Sequence, residues 1–177
     1  MIKLIVFLGN KGQQYAKTRH NLGWIFLDSL TESLPPLKWQ KKFHGEWTTL
    51  PVGGRQTHLL KPLLFMNESG RSVQAISHYF SLESDELLIV HDDIELDFST
   101  LKFQQGGGLA GHKGLRSLKQ NLGNDNFYRL RLGIGRPLQG EVSSYVLSRF
   151  SPLEEALLPS LCQEARTLLE EHLGDFG

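Results

Sequence analysis

Two short stretches carry side chains that could move a proton together. His20 stands in Thr18-Arg19-His20-Asn21, and Asp92 stands in His91-Asp92-Asp93. An imidazole backed by a carboxylate is the usual construction of a general base. The ring takes the proton, while the carboxylate orients the ring and stabilises the imidazolium. Each stretch follows an apolar run: residues 4–8 lead to Asn10, Tyr15 and His20, and residues 87–90 lead to Asp92. Continuous apolar runs of this length read as strands buried on both faces. In open α/β sheets, functional groups gather beyond the carboxyl ends of strands, so His20 and Asp92 meet if their strands are neighbours. Taken singly, each residue also reads as scaffold, His20 as a cap or core residue and Asp92 as a turn former.

Other chemistries fit less well. Gly106-Gly107-Gly108-Leu109-Ala110-Gly111 has the G-x-G-x-x-G spacing, but it follows Gln104-Gln105 rather than a buried strand. Roughly 20 residues further on, where a ribose-binding acid is wanted, stands Arg131. A glycine-rich turn into a helix can still receive a phosphate or approach a substrate closely. No H-E-x-x-H or similar metal spacing occurs, and no G-x-S-x-G, so neither a metal nor a serine nucleophile is expected. A hydrolase built on these residues would activate water directly, without a cofactor.

The elements that must position these groups are legible from periodicity. Residues 22–34 place Leu22, Ile25, Phe26, Leu30 and Leu34 near helical spacing, and Pro35-Pro36 ends the segment. Val52-Gly53-Gly54-Arg55 reads as a hairpin turn. A helix carrying Val73, Ile76, Tyr79 and Phe80 follows Lys61-Pro62, and residues 101–103 form a short half-polar strand. Residues 127–134 alternate, which predicts Arg129 and Arg131 exposed on one face. Ser151, Pro152 and Glu154 mark a helix start, with Leu153, Leu157, Leu161, Ala165 and Leu168 as its apolar stripe. Cys162 flanks that stripe and is expected to pack rather than react. Strands alternating with helices predict a single α/β domain over residues 1–177, a twisted, mostly parallel mixed sheet flanked by helices.

Composition limits the partners. Lysine and arginine balance the acids overall, yet residues 101–150 hold eight basic side chains against Asp125 and Glu141. Such a local excess predicts a face for an anionic partner. Cys162 is the only cysteine, so no disulfide forms within the chain and a reducing compartment fits. The longest apolar run is far too short to span a membrane, and no signal segment is apparent, so a cytoplasmic protein is expected.

Five motifs then resemble one family in order. Residues 8–23, from Leu8-Gly9-Asn10 through Tyr15 to Thr18-Arg19-His20-Asn21-Leu22-Gly23, are similar to the opening signature of bacterial peptidyl-tRNA hydrolases. Lys61-Pro62 with Phe65-Met66-Asn67-Glu68-Ser69-Gly70 resembles a second motif, and His91-Asp92-Asp93-Ile94-Glu95-Leu96 a third. Gly107-Gly108-Leu109-Ala110-Gly111-His112-Lys113-Gly114-Leu115 resembles G-G-x-x-G-H-N-G-L, and residues 127–137 resemble F-x-R-L-R-x-G-I-G-R-P.

The resemblance implies hydrolysis of the ester between a peptide and the 3′ ribose of its tRNA. His20 would be the general base, Asp92 would orient it, and Asn10 and Asn67 would present neutral amides to the substrate. Tyr15, Met66, His112 and Lys113 would line the pocket. Arg131 would contact acceptor-stem phosphates, with Lys102 nearest the position where relatives carry a lysine and this chain has Gln104. A monomer without a stable protein partner is implied. Phe7, Lys11 and Lys113 depart from the usual Gly, Pro and Asn. A second reading stays open, a non-catalytic RNA- or protein-binding role like that of a plant-organelle splicing factor on the same fold.

Overall fold

The computed structural model describes residues 1–177. Seven strands form one mixed sheet: β1 (Leu4–Phe7), β2 (Gln40–Lys42), β3 (Gly45–Val52), β4 (Arg55–Pro62), β5 (Leu87–Asp93), β6 (Leu101–Gln105) and β7 (Tyr128–Gly133). Their spatial order is β2-β3-β4-β1-β5-β7-β6. The central four, β4, β1, β5 and β7, run parallel; two hairpins add β3 antiparallel to β4 and β2 antiparallel to β3 on one flank, and β6, joined to β7 by a long connection, pairs antiparallel with it on the other. This is the expected α/β class. β1 and β5 are buried along their whole length, which is why residues 4–8 and 87–90 read as unbroken apolar runs.

Alternate residues of the central strands serve two cores. Ile5, Phe7, Leu88 and Val90 face one side, where α1 (Leu22–Glu32) and α5 (Pro152–Leu173) pack. Leu4, Val6, Leu87 and Ile89 face the other, covered by α2 (Ser69–Phe80) and α3 (Lys113–Leu122). A short helix, α4 (Val142–Val146), precedes α5. The site-bearing turn is pressed against the sheet by Gly23. A Cβ there would stand 2.6 Å from the Leu8 carbonyl oxygen, so only glycine lets α1 start this close to the end of β1. Gly53 and Gly54 take positive φ in the β3–β4 hairpin, the geometry a two-residue turn needs.

Two expectations are corrected. α5 has its predicted start, with Ser151 and Glu154 capping each other's backbone N–H groups. Its buried face, however, is Leu158, Leu161, Cys162, Ala165 and Leu169, while Leu153 and Leu157 are exposed. The first turn and a half projects past the packed core, so apolar spacing there does not report contact. Cys162 is packed as expected, and burial pushes its thiol up to about 11. Arg129 is not exposed: it is 2 % accessible, because the glycine-rich loop folds over it.

Candidate active site

β1 and β5 are adjacent and parallel, with Phe7 opposite Val90, so the segments leaving them share one rim. After β1 the chain turns through Asn10, whose backbone N–H donates to Asn21 Oδ1 at 2.8 Å. Asn21 Nδ2 returns a bond to the Asn10 carbonyl at 3.0 Å. This buried reciprocal pair fixes the loop that ends in the 3-10 turn Arg19–Asn21, which carries His20. The Asn10 side chain reaches across to the segment after β4, where its Oδ1 accepts from the Met66 N–H at 2.6 Å. The Nδ2 end remains as a donor for the cavity.

His20 Nδ1 lies 2.9 and 3.0 Å from the two oxygens of Asp92. Because a carboxylate only accepts, Nδ1 carries the proton and Nε2 keeps its lone pair. Asp92 also accepts from His112 Nε2 at 2.9 Å. Its carboxyl is 1 % exposed, and burial alone would raise its pKa. The charges and hydrogen bonds of His20 and His112 outweigh that and hold it well below the usual carboxylate range. His91, the residue before it, points its Nδ1 to the Asp92 carbonyl at 2.8 Å, and its buried Nε2 has no partner. Burial, with His112 nearby, pushes His91 down to about 3, so it is a neutral part of the floor.

A cavity of about 550 Å³ opens above these groups. Asn10, Tyr15, His20, Met66, Asn67, Asp92, His112 and Lys113 all line it. The eight residues expected at the catalytic and substrate positions thus converge, and Asn67 and Lys113 are exposed. Lys102 and Arg131 do not line the cavity. They sit side by side in register on β6 and β7. Arg131 donates through Nε to Asp93 at 2.7 Å and through Nη1 to Gln104 at 2.8 Å, which leaves Nη2. That hydrogen bond helps hold Asp93, which burial would otherwise raise, below the usual range. Arg129 donates to the carbonyls of Gly106 and Gly108, and Gln104 Nε2 adds a bond to Gly106. The glycine-rich loop is therefore held from beneath and delivers His112 to Asp92.

Several lining residues were not anticipated. Ile94 and Leu109, and Val142, Val146 and Leu147 from the segment around α4, supply an apolar wall. The i, i+4 pair Val142 and Val146 was the only signal for the latter. Arg19 is a second omission. It is buried, donates to Ser148 Oγ and Glu154 Oε1 at 2.7 Å each, and lies over the Tyr145 ring. It ties the turn bearing His20 to the wall of the cavity across 129 residues of chain, a separation no local pattern reports.

The ligand atoms of His20, Asp92 and His112 are close enough together to meet a cation. Each of them, however, already has a hydrogen-bond partner within the trio, and His112 Nδ1 accepts from the start of α3. A cation would have to break those bonds. The trio reads instead as one hydrogen-bonded chain ending at a free imidazole nitrogen.

The family profile described as Peptidyl-tRNA hydrolase matches residues 4–176. A peptidyl-tRNA hydrolase of Geotalea uraniireducens is 47 % identical over 169 residues, covering 96 % of this chain and 88 % of the relative. One from Treponema pallidum is 45 % identical over 173 residues, covering 95 % and 85 %. The crystal structure of peptidyl-tRNA hydrolase from Acinetobacter baumannii superposes with a TM-score of 0.85 at 36 % identity, covering 97 % of this chain and 90 % of that one. With the profile spanning nearly the whole chain and the relatives this similar, the chain belongs to the peptidyl-tRNA hydrolase family.

Proposed function

We propose that this protein hydrolyses the ester linking a peptide's C-terminal carbonyl to the 3′ ribose of tRNA. The observation that carries the reading is the His20–Asp92 pair, an imidazole whose Nδ1 is held by a buried carboxylate beside a cavity. Water is the nucleophile. His20 Nε2 takes its proton as oxygen attacks the ester carbonyl, and Asp92 stabilises the imidazolium that results. The carbonyl oxygen gains charge, and a neutral amide such as Asn10 Nδ2 can donate to it without competing for the proton. Collapse of the adduct expels the ribose 3′ oxygen, which the imidazolium protonates. Asn67 addresses the peptide backbone, while Tyr15 and Met66 form walls that accept varied side chains.

Lys102 and the free Nη2 of Arg131 address tRNA phosphates outside the cavity. The protein works as a monomer in the cytoplasm, with peptidyl-tRNA as its partner and no cofactor. No helix of the chain is long and apolar enough to cross a membrane. The relatives matched here carry the hydrolase name, and Asn10, His20, Asn67 and Asp92 stand together, so the non-catalytic reading is not favoured.

Release of peptide from a purified peptidyl-tRNA, assayed before and after exhaustive EDTA treatment, tests the proposal. Turnover that survives chelation is expected. No release by the untreated protein, or release that returns only with added metal, overturns it.

A further inference from the structure

His112 is better connected than a wall residue needs to be. Its Nδ1 accepts from the backbone N–H groups of Gly114 and Leu115 at 3.1 and 3.3 Å, so the side chain is the N-cap of α3. An atom that accepts two N–H bonds carries no proton. The other nitrogen must then carry it, and that Nε2–H points at Asp92 Oδ1, 2.9 Å away. Two orphan donors of α3 thus dictate the tautomer of His112, and the tautomer dictates that Asp92 receives a second donor. Protonating His112 would put a proton against the two N–H groups and add a cation to the positive end of α3. The ring is therefore unsuited to act as a base, although its centroid lies 4.9 Å from that of His20.

We propose that His112 is a positioning residue which, locked by the N-terminus of α3, shares the charge of Asp92 and so sets how strongly Asp92 holds protonated His20. This rests on the reading of His20 as the base. The other charged and titratable groups around Asp92 are accounted for. His91 and Asp93 flank it on β5, and His91 meets only its carbonyl. Arg131 from β7 is paired with Asp93, and Arg136 at the cavity rim with Glu95. Lys113 lines the cavity from the start of α3. Only His20 and His112 touch the carboxylate itself.

The direction of the effect follows from sharing. With the His112 donor gone, Asp92 concentrates its charge on His20, and the imidazolium becomes more favourable. His20 then stays protonated to higher pH, where it cannot accept a proton from water. The acid limb of the pH–rate profile moves up.

His112→Asn isolates this bond. Asparagine is among the best N-cap residues, so the cap of α3 is kept, but its side chain is too short to reach Asp92. His112→Gln does the reverse, offering an amide N–H near the position of Nε2 but capping poorly. In the asparagine variant, the acid limb of kcat/KM should rise by about half to one pH unit. That is roughly a three- to tenfold extra loss on the acid side, with Tm near wild type. The glutamine variant should lose Tm while keeping the limb closer to wild type. Imidazole ¹⁵N spectra should show His112 as the Nε2–H tautomer. A limb that stays put in His112→Asn, or a His112 whose proton sits on Nδ1, overturns the proposal. His20→Ala separates its failure from that of the underlying reading. If His20→Ala is inactive while the asparagine variant keeps its limb, only the role of His112 falls. If His20→Ala stays active, the general-base reading falls with it.

Discussion

The rim beyond β1 and β5 and the arginine-bearing strand β7 both stand out in the sequence by their charged residues, yet they use them in opposite ways. At the rim, two polar side chains are held so that one chosen atom stays free, Nε2 on His20 and Nδ2 on Asn10. On β7 the guanidinium groups are mostly engaged. Arg129 is closed over by loop carbonyls, and Arg131 keeps a single nitrogen clear of Asp93 and Gln104. Charge counted along a chain therefore overstates the charge available to a polyanion. In the basic stretch, Lys102, Lys113, Arg116 and Arg149 are the exposed cations that form no ion pair.

Removing the free atom at the rim should have the largest effect. His20→Ala is expected to lower the single-turnover rate by about 10²–10⁴, the usual value of a general base, with little change in tRNA affinity. Asp92→Asn should give a smaller loss in the same direction, because the ring survives without its orienting charge. A His20→Ala protein that keeps more than about a tenth of the wild-type rate, where such a loss is due, would erase the distinction between the two regions.

Arg129 is the matching test on β7, where stability rather than chemistry should respond. Hydrogen bonds from a charged donor contribute about 1.5–3 kcal/mol each, and Arg129→Met loses two. At this chain length each kcal/mol moves Tm by roughly 2–4 °C, so a fall of several degrees is expected. Activity should fall too, since the loop carries His112. Arg129→Lys should not rescue Tm, because one ammonium lacks the fork that spans both carbonyls. A wild-type Tm in Arg129→Met would mean that the loop holds itself.

The two regions also differ in how far they could be read in advance. His20 and Asp92 were legible because each follows a run of strand, and adjacency of β1 and β5 brought them together as expected. The period of β7 was right as well: Arg129 and Arg131 do share a face. What the face looks upon was not legible, because a loop twenty residues upstream closes over Arg129. Asn21 and Arg19 were hidden for a related reason. Their roles lie in bonds to Asn10 and to Ser148 and Glu154, and spacing along a chain reports faces rather than partners. The tautomer of His112 needed both ends of the ring, and only its place at the start of a helix was visible.

The buried floor of the rim should show in acid. His91 is held down to about 3, so between about pH 6.5 and 3 the unfolded chain takes up a proton that the folded one refuses. Stability therefore falls as pH drops through that window, by at most about 1.4 kcal/mol per pH unit for this one group. Asp92 and Asp93, both depressed, add stability that is lost only below the normal carboxylate range. Denaturant midpoints of wild type and His91→Gln between about pH 7 and 4 check this. Equal slopes would show that His91 takes its proton without unfolding.

On β7 and β6, salt separates an open cation from an engaged one. Each lost phosphate contact should flatten the log K against log salt slope by about 0.7–0.9. Lys102→Ala is expected to do so with Tm unchanged. Arg131→Ala should flatten the slope and also lower Tm, since Asp93 loses its partner. A minimal substrate without the acceptor stem should be indifferent to Lys102→Ala. If Arg131→Ala affects that substrate as strongly as the full one, Arg131 acts only through Asp93.

Lys113 should give the smallest effect, and it tests whether the two regions are as separate as they look. It stands at the first position of α3, exposed, lining the cavity beside His112, and it forms no ion pair. The family motif that this loop resembles has asparagine there, which can both donate and accept, whereas lysine only donates. An ammonium at a helix N-terminus also opposes the helix dipole, a cost of about 0.3–1 kcal/mol at an exposed site. Lys113→Asn should therefore raise Tm slightly. If the lysine meets a terminal tRNA phosphate, the substitution should also raise KM and flatten its salt dependence. The single-turnover rate should change less, because His20 and Asp92 keep their bonds. KM and single-turnover rates at two salt concentrations decide it: an unchanged KM and slope would leave Lys113 in solvent. A large rise in the single-turnover rate would show that the lysine restrains the chemistry itself, and the boundary between the rim and the basic face would then run through α3.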